Sequence, residues 1–421
     1  MIKQNKTKFV LFCFYVTNIC QNVTFALLFY GFVIKLRKVT FGGIIMLGIK
    51  PVMGWNTWNT FGEVIDEKLI LESADALVEN GYKDAGYEYI IIDDCWSLRE
   101  RVDGKLVPNP ERFPHGMKYV SDYIHSKGLK FGMYSCAGVK TCAGYPSSYG
   151  YEFEDAKQFA EWGVDYLKYD FCFFPQSGNK ENAYLTMAMA LRNCGRDIVF
   201  AACNWGVGEP WDWMRSHGAH TYRSTGDIQD NPKSYIDIFK SQINNIGGNG
   251  AGCYNDMDML TVGMCGEGYV GLGGCTHEEY LQHFAMWAFF GSPLIIGADI
   301  RKISDEDKAI LLNKGLISIN QDPECRPAFK IFELEGDRYA FMRFLDGGKF
   351  ALAIFNVDDD HEYRKNISVT FDDLGIHSNT PRSVKFTDAV TGEELGNFRD
   401  GIRIYVDKRG TKVLIGEICE D

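Results

Sequence analysis

At 421 residues the chain is too long for one small core, and a large domain followed by a smaller one is the natural expectation. Its formal net charge of -12 argues against nucleic acid or an anionic membrane surface as partner. The 8 Trp, 22 Tyr and 29 Phe suit sugar stacking and a large core equally well, so aromatic content decides nothing by itself.

The first 45 residues differ from everything after them. Residues 1–8 are basic, and residues 9–34 are apolar but broken by Asn18, Gln21, Asn22 and Thr24. The stretch is longer than a signal-peptide core and shows no clean small-residue cleavage site. Three readings stay open: an over-extended start with translation beginning at Met46, a poor signal, or a membrane anchor. Gly42-Gly43 ahead of Met46 can be encoded by a purine-rich ribosome-binding sequence, which favours the first. Of 13 cysteines, Cys13 and Cys20 lie in this leader, and the other 11 are scattered without CxxC or zinc-ligand spacing. Reduced thiols and a cytoplasmic location are expected from that pattern, whereas a genuine leader would mean a membrane-anchored or secreted protein.

From residue 52 to 315 a strand-then-helix alternation recurs eight times. The predicted strands are 52–56, 87–96, 129–135, 165–172, 197–205, 220–228, 251–260 and 293–300. Between them run helical patterns such as residues 66–80, with Leu69, Ile70, Ala74, Leu77 and Val78 on one face and Gly81 after it. Gly128, Gly163, Gly195, Gly218, Gly247, Gly291 and Gly315 are read as further helix terminators. Eight βα units with near-continuous apolar strands imply a closed (β/α)8 TIM barrel over residues 46–318, because parallel strands need both faces covered. After it, short strands between turns such as Glu335-Gly336-Asp337 predict an antiparallel β-sandwich over residues 319–421, including one strand through 402–415.

In such a barrel chemistry sits where the strands end. Those ends carry Trp55 and Trp58, Asp93 and Asp94, Tyr134, Lys168 and Asp170, Cys203 and Trp205, Arg223 and Asp227, and Asp258 and Met259. Asp170 and Asp227 each close a strand behind a cation. One nucleophile and one proton donor of this kind are what hydrolysis of a glycosidic bond requires. Helix capping explains one or two strand-end aspartates, but not so many strand ends that contribute acids, bases and aromatics to one rim. His277 and His283 read as the solvated face of an amphipathic helix, and the Gly271–Gly274 run as a flexible loop.

Several motifs in order resemble the α-galactosidases (melibiases) of glycoside hydrolase family 27. They are Met53-Gly54-Trp55-Asn56-Thr57-Trp58-Asn59, Asp93-Asp94-Cys95-Trp96, Lys168-Tyr169-Asp170, Arg223-Ser224-Thr225-Gly226-Asp227 and Asn255-Asp256-Met257-Asp258-Met259-Leu260. The resemblance implies a retaining exo-glycosidase acting on terminal α-linked galactose, with Asp170 as nucleophile and Asp227 as acid, then base. Lys168, two residues back on the same strand face, is expected to favour the charged form of Asp170, and Asp227 to sit in a less polar setting.

It further implies that Asp93 and Asp94 hold O4 and O6, that Lys168 holds O3 and O4, and that Arg223 and Asp258 hold the O2 side. Trp58 would form a wall, with Tyr134, Met259, Cys203 and Trp205 completing the pocket. The family's N-acetylgalactosaminidases have small residues after strand five, and its β-L-arabinopyranosidases a longer acid at the place of Asp93, so Trp205 and Asp93 favour galactose. A membrane-anchored carbohydrate-binding barrel is the non-enzyme alternative, and it needs neither Asp170 nor Asp227. Cys142 and Cys172 match a family disulfide, which a cytoplasmic protein is expected to keep reduced. The expected partner is a small oligosaccharide, with no nucleic acid, no cofactor, no metal and, for a chain starting at Met46, no membrane.

Overall fold

The computed structural model describes residues 47–358, 366–377 and 382–420, together with residues 28–29 and 32–33. The chain divides into two compact units, Met1–Met46 and Leu47–Asp421. Of the first, only the antiparallel pair Leu28–Phe29 and Phe32–Val33 is described, so the expectations for residues 1–45 lie outside the described residues. No helix of the described residues is long and apolar enough to cross a membrane.

The second unit opens with eight parallel strands. They are β1 (Met53–Asn56), β2 (Tyr89–Ile91), β3 (Lys130–Cys136), β4 (Tyr166–Asp170), β5 (Val199–Cys203), β6 (Thr221–Arg223), β7 (Tyr254–Asp256) and β8 (Leu294–Ile296). Seven lie inside their predicted stretches and are shorter than them; β3 has the predicted length, displaced by one residue to end at Cys136. β8 pairs with β1, and a parallel bridge between Leu260 and Ile296 joins the segment after β7 to β8, closing the barrel. The Leu260 and Gly297 N–H groups donate across that seam at 2.7 and 2.9 Å.

The helix Glu67–Glu79 shows how local sequence sets an element. Asp66 caps it by accepting from the Leu69 N–H at 2.8 Å, and Leu69, Ile70, Ala74 and Leu77 are buried as the 3.6-residue period requires. Gly81 then takes the left-handed conformation at φ 82°.

The C-terminal part has a six-stranded antiparallel sheet and a two-stranded one. In chain order the strands are β9 (Phe329–Leu334), β10 (Arg338–Phe344), β11 (Lys349–Asn356), β12 (Asn366–Thr370), β13 (Arg382–Asp388), β14 (Glu394–Phe398), β15 (Gly401–Tyr405) and β16 (Thr411–Glu420). The single strand expected through 402–415 is two, β15 and β16, divided by a turn in which the Gly410 N–H bonds the Asp407 carbonyl. β14 was not foreseen, because Glu394-Leu395-Gly396-Asn397-Phe398 has little of the apolar alternation that marks a strand. One face of the large sheet packs on β12 and β15 through Met342, Leu352, Ile354, Ile367, Val369, Phe386 and Ile404. The other joins the barrel core through Phe341, Ala353 and Phe355, so β11 is apolar on both sides.

The helix His277–Phe290 lies between barrel and sandwich, and this corrects the reading of its histidines. His283 is fully buried, stacked on Tyr235 at 5.3 Å between centroids and edge-on to Trp287 at 4.2 Å. Burial pushes its imidazole down to about 3, so it is neutral near pH 7. His277 is half-buried beside Asp307 at 3.3 Å.

Gly315 does not end a helix either; it lies inside the helix Lys314–Asn320. A Cβ placed there would come 1.8 Å from the Ala389 carbonyl oxygen, at the seam with the sandwich. Helix propensity alone makes Gly→Ala stabilising by about 1 kcal/mol, but this contact reverses the sign. Gly315→Ala is expected to cost about 2–3 kcal/mol through forced displacement, read as a lower Tm by calorimetry. A raised Tm would mean that the seam yields freely.

Candidate active site

The C-terminal ends of the strands open into a cavity of about 610 Å³. Of the residues singled out from sequence, Trp58, Asp93, Asp94, Tyr134, Lys168, Asp170, Trp205, Arg223, Asp227, Asp258 and Met259 line it.

On one side, Asp93 and Asp94 follow β2, both buried. Asp93 Oδ2 accepts from Asn56 Nδ2 at 2.8 Å and from Lys168 Nζ at 2.9 Å, which ties β1, β2 and β4 together. Asp94 is held by the backbone: its oxygens accept from the Cys95 N–H at 2.7 Å and the Ala143 N–H at 2.9 Å. Cys95 adopts φ 72° to present that N–H. Burial outweighs those bonds and lifts the Asp94 carboxyl to about 6. Burial alone would lower the Lys168 ammonium, but the Asp93 and Asp170 carboxylates hold it well above its usual value. The Tyr134 hydroxyl is buried with no hydrogen-bond partner, and its ring lies 5.3 Å from Lys168 Nζ. An orphaned hydroxyl at a cavity wall is a polar atom awaiting a ligand.

On the other side, Arg223 at the end of β6 bridges two acids. Its Nη2 reaches Asp258 Oδ2 at 2.6 Å and Asp227 Oδ1 at 2.9 Å. Asp258, at φ 84°, also accepts from the Ile228 and Met259 N–H groups at 2.8 and 2.7 Å. Burial lifts its carboxyl to about 6 against the pull of Arg223. The Asp227 side chain is 77% exposed, so the less polar setting expected for it is not what the unliganded pocket provides.

Asp170 closes β4 at 5% exposure. Its Oδ1 accepts from the Phe171 N–H at 2.8 Å. Among the described residues no N–H or O–H group donates to Oδ2, and Cys142 Sγ lies 3.7 Å from it. Lys168 does pull this carboxyl down, as expected, but burial is the larger effect and leaves it above the ordinary range. Lys168 bonds Asp93 rather than Asp170. Cys142 and Cys172 form a disulfide with Cα atoms 5.1 Å apart, where the cytoplasmic reading expected thiols. Among the described residues one cluster of metal-type ligands occurs, Cys142, Asp170 and Cys172, and the disulfide removes both sulfurs from it.

With this geometry in place, comparison with known proteins is informative. The family profile for α-galactosidase A matches residues 50–322, and that for the α-galactosidase C-terminal β-sandwich domain matches residues 335–415. The chain belongs to the α-galactosidase A family. Within that family it is similar to α-galactosidase A of Cellvibrio japonicus, at 41% identity over 86% of this chain and 91% of the relative. Among solved structures it resembles α-galactosidase I of Mortierella vinacea, with a TM-score of 0.81, 36% identity and coverage of 88% and 97% of the two chains. It also resembles the Saccharomyces cerevisiae α-galactosidase determined with raffinose, with a TM-score of 0.80, 28% identity and coverage of 89% and 98%.

Two strand-end residues singled out in this family member do not line the main cavity: Trp55, fully buried with Nε1 donating to the Ala298 carbonyl at 2.8 Å, and Cys203. Cys203 lies beneath the main cavity, lining a void of about 20 Å³ with Lys168, Arg223 and Met259, room for about one water. Asn59, Glu63, Ala143, Ile228, Gln229, Tyr269 and Val270 line the main cavity unforeseen. They sit in βα loops, where no periodicity marks a side chain as pocket-facing; only the glycine density around Tyr269 hints at a shaped loop.

The raised Asp94 carboxyl has a thermodynamic consequence. Between about pH 4 and 6 the folded protein keeps a proton there that the unfolded chain has released, so stability falls as pH rises through that window. The loss is on the order of 3 kcal/mol for such a shift. In Asp94→Asn, melting temperatures measured at pH 4.5 and 7 are expected to differ less than in the wild type. Equal pH slopes for the two proteins would show that Asp94 titrates normally.

Proposed function

We propose that this chain is a retaining, exo-acting α-galactosidase that removes terminal α-linked galactose from oligosaccharides, with Asp170 as nucleophile and Asp227 as acid/base. The observation that carries the reading is the opposite placement of the two acids: Asp170 is buried in the closed end of the pocket with Oδ2 undonated, and Asp227 is exposed at the open end. A nucleophile needs a free lone pair aimed at the anomeric carbon. A proton donor needs access to the side from which the leaving group departs. The relatives named above, all α-galactosidases, support the same reading, and the yeast structure holds raffinose.

In the first step Asp170 Oδ2 attacks the anomeric carbon as Asp227 protonates the glycosidic oxygen, and the aglycone leaves. In the second, Asp227 takes a proton from water, which displaces Asp170 and releases galactose with retained configuration. Asp93, Asp94 and Lys168 receive O3, O4 and O6, and Arg223 and Asp258 the O2 side. Hydroxyls donate well to carboxylates. Trp205, at φ 57° with its ring edge-on to Phe171 at 6.1 Å, forms the wall proposed to exclude an acetamido group at C2.

Azide separates the two roles. Asp170→Gly is expected to lose on the order of 10⁴-fold or more in turnover of every α-galactoside, and added azide to give β-galactosyl azide. Asp227→Gly should still be glycosylated by substrates with good leaving groups, and azide should accelerate it and give the α-anomer. The reverse pairing of variant and anomer would exchange the assignments.

Trp205→Ala tests the C2 wall. The ratio of kcat/KM for aryl α-N-acetylgalactosaminide over α-galactoside is expected to rise about tenfold or more on relief of steric exclusion. An unmoved ratio would place Trp205 away from C2.

A further inference from the structure

The cavity extends past the proposed sugar clamp to a mouth bordered by Glu63, Gln229 and Tyr269, none of which that clamp employs. Tyr269 is 63% exposed, yet its backbone is tightly held. Its N–H donates to the Thr60 carbonyl at 3.0 Å, and the Val270 N–H to the Asn59 carbonyl at 3.0 Å. The loop around it tolerates no side chains at its glycines. A Cβ on Gly268 would lie 2.8 Å from Thr60 Cα, and one on Gly271 would lie 2.3 Å from the Gly266 carbonyl oxygen.

Asp230 fastens the same loop to the one that carries Asp227. Its Oδ2 accepts from the Gly266 N–H at 2.6 Å, its own N–H donates to Val270 at 3.0 Å, and its carbonyl accepts from Gly274 at 2.8 Å. Asp230 lies three residues beyond Asp227, so the Tyr269 ring is indexed to the proton donor, on the side from which a leaving group departs. The ring meets Trp58 in a T-shaped pair, 5.2 Å away at 70°, and backs closely on Gly62, yet most of it remains exposed. A rigid, exposed aromatic face flanked by a carboxylate and an amide matches the apolar face and hydroxyl rim of a second sugar.

We propose that Tyr269 is a specificity-determining residue for the leaving group: a platform for a sugar aglycone, with Glu63 and Gln229 as partners for its hydroxyls. The proposal rests on the α-galactosidase reading. It predicts preference for galactosides whose leaving group is itself a sugar.

Two substrates separate a platform from a packing role. An α-galactosyl disaccharide places a ring on Tyr269, whereas the leaving group of α-galactosyl fluoride is a single atom that cannot reach it. The ratio of kcat/KM for disaccharide over fluoride is expected to fall about tenfold in Tyr269→Ala, the worth of one aromatic contact. Tyr269→Leu, which still covers Trp58 but has no flat face, should show the same fall, and Tyr269→Phe should restore the ratio. A ratio unchanged in both Ala and Leu variants, whatever the absolute rates, overturns the platform. Failure of the wild type to hydrolyse the fluoride overturns the α-galactosidase reading instead.

Discussion

Six carboxyl groups and two cations line one pocket: Asp93, Asp94, Asp170, Asp227 and Asp258, with Glu63 among the lining residues, against Lys168 and Arg223. Desolvating so many like charges is unfavourable, and the arrangement is held together by sharing. Lys168 faces Asp93 and Asp170, and Arg223 spans Asp227 and Asp258, so each cation serves two acids from different strand ends. Burial, with the neighbouring carboxylates adding to it, leaves Asp94 and Asp258 reluctant to ionise. A polyhydroxylated ligand suits such a pocket without bringing a charge, since its hydroxyls can donate to the carboxylate oxygens that line it.

Much of this was legible in the amino-acid sequence, and physics explains which part. The barrel strands follow from apolar runs between glycine-punctuated helices. Strand ends are the one place where a parallel barrel can expose chemistry, so Asp93, Lys168, Asp170, Arg223 and Asp258 could be assigned to one rim before any contact was known. Cys203 could not be placed, because a residue at a strand end can point above or below the last layer of side chains. His283 was misread because this helix is buried nearly all round, so its pattern marks no solvated face; the ring packs on Tyr235 and Trp287 within the barrel. Tyr269 carries no motif; its position depends on the close approach of loops far apart in sequence.

Three residues at this rim hold strained backbone. Cys95, Trp205 and Asp258, none of them glycine, hold φ of 72°, 57° and 84°. Such conformations cost about 1–3 kcal/mol each and persist where neighbours over-determine them. At Asp258 the neighbours are identifiable: Trp287 Nε1 donates to its carbonyl at 2.7 Å, and its carboxylate is fastened by Arg223 and two backbone N–H groups.

Trp287 belongs to the helix His277–Phe290, and that helix is shared property. Gln282 Nε2 reaches across to the carbonyls of Asn356 and Gly410, and Arg343 from β10 donates to the carbonyl of Phe289 near the helix's C-terminal end. The sheet domain is therefore a buttress for the barrel wall that carries Asp258. Barrel and sheet domain share that helix, and a truncation that looks peripheral on a domain map would take away the partners of Gln282 and of the Phe289 carbonyl from the helix whose Trp287 holds the Asp258 backbone.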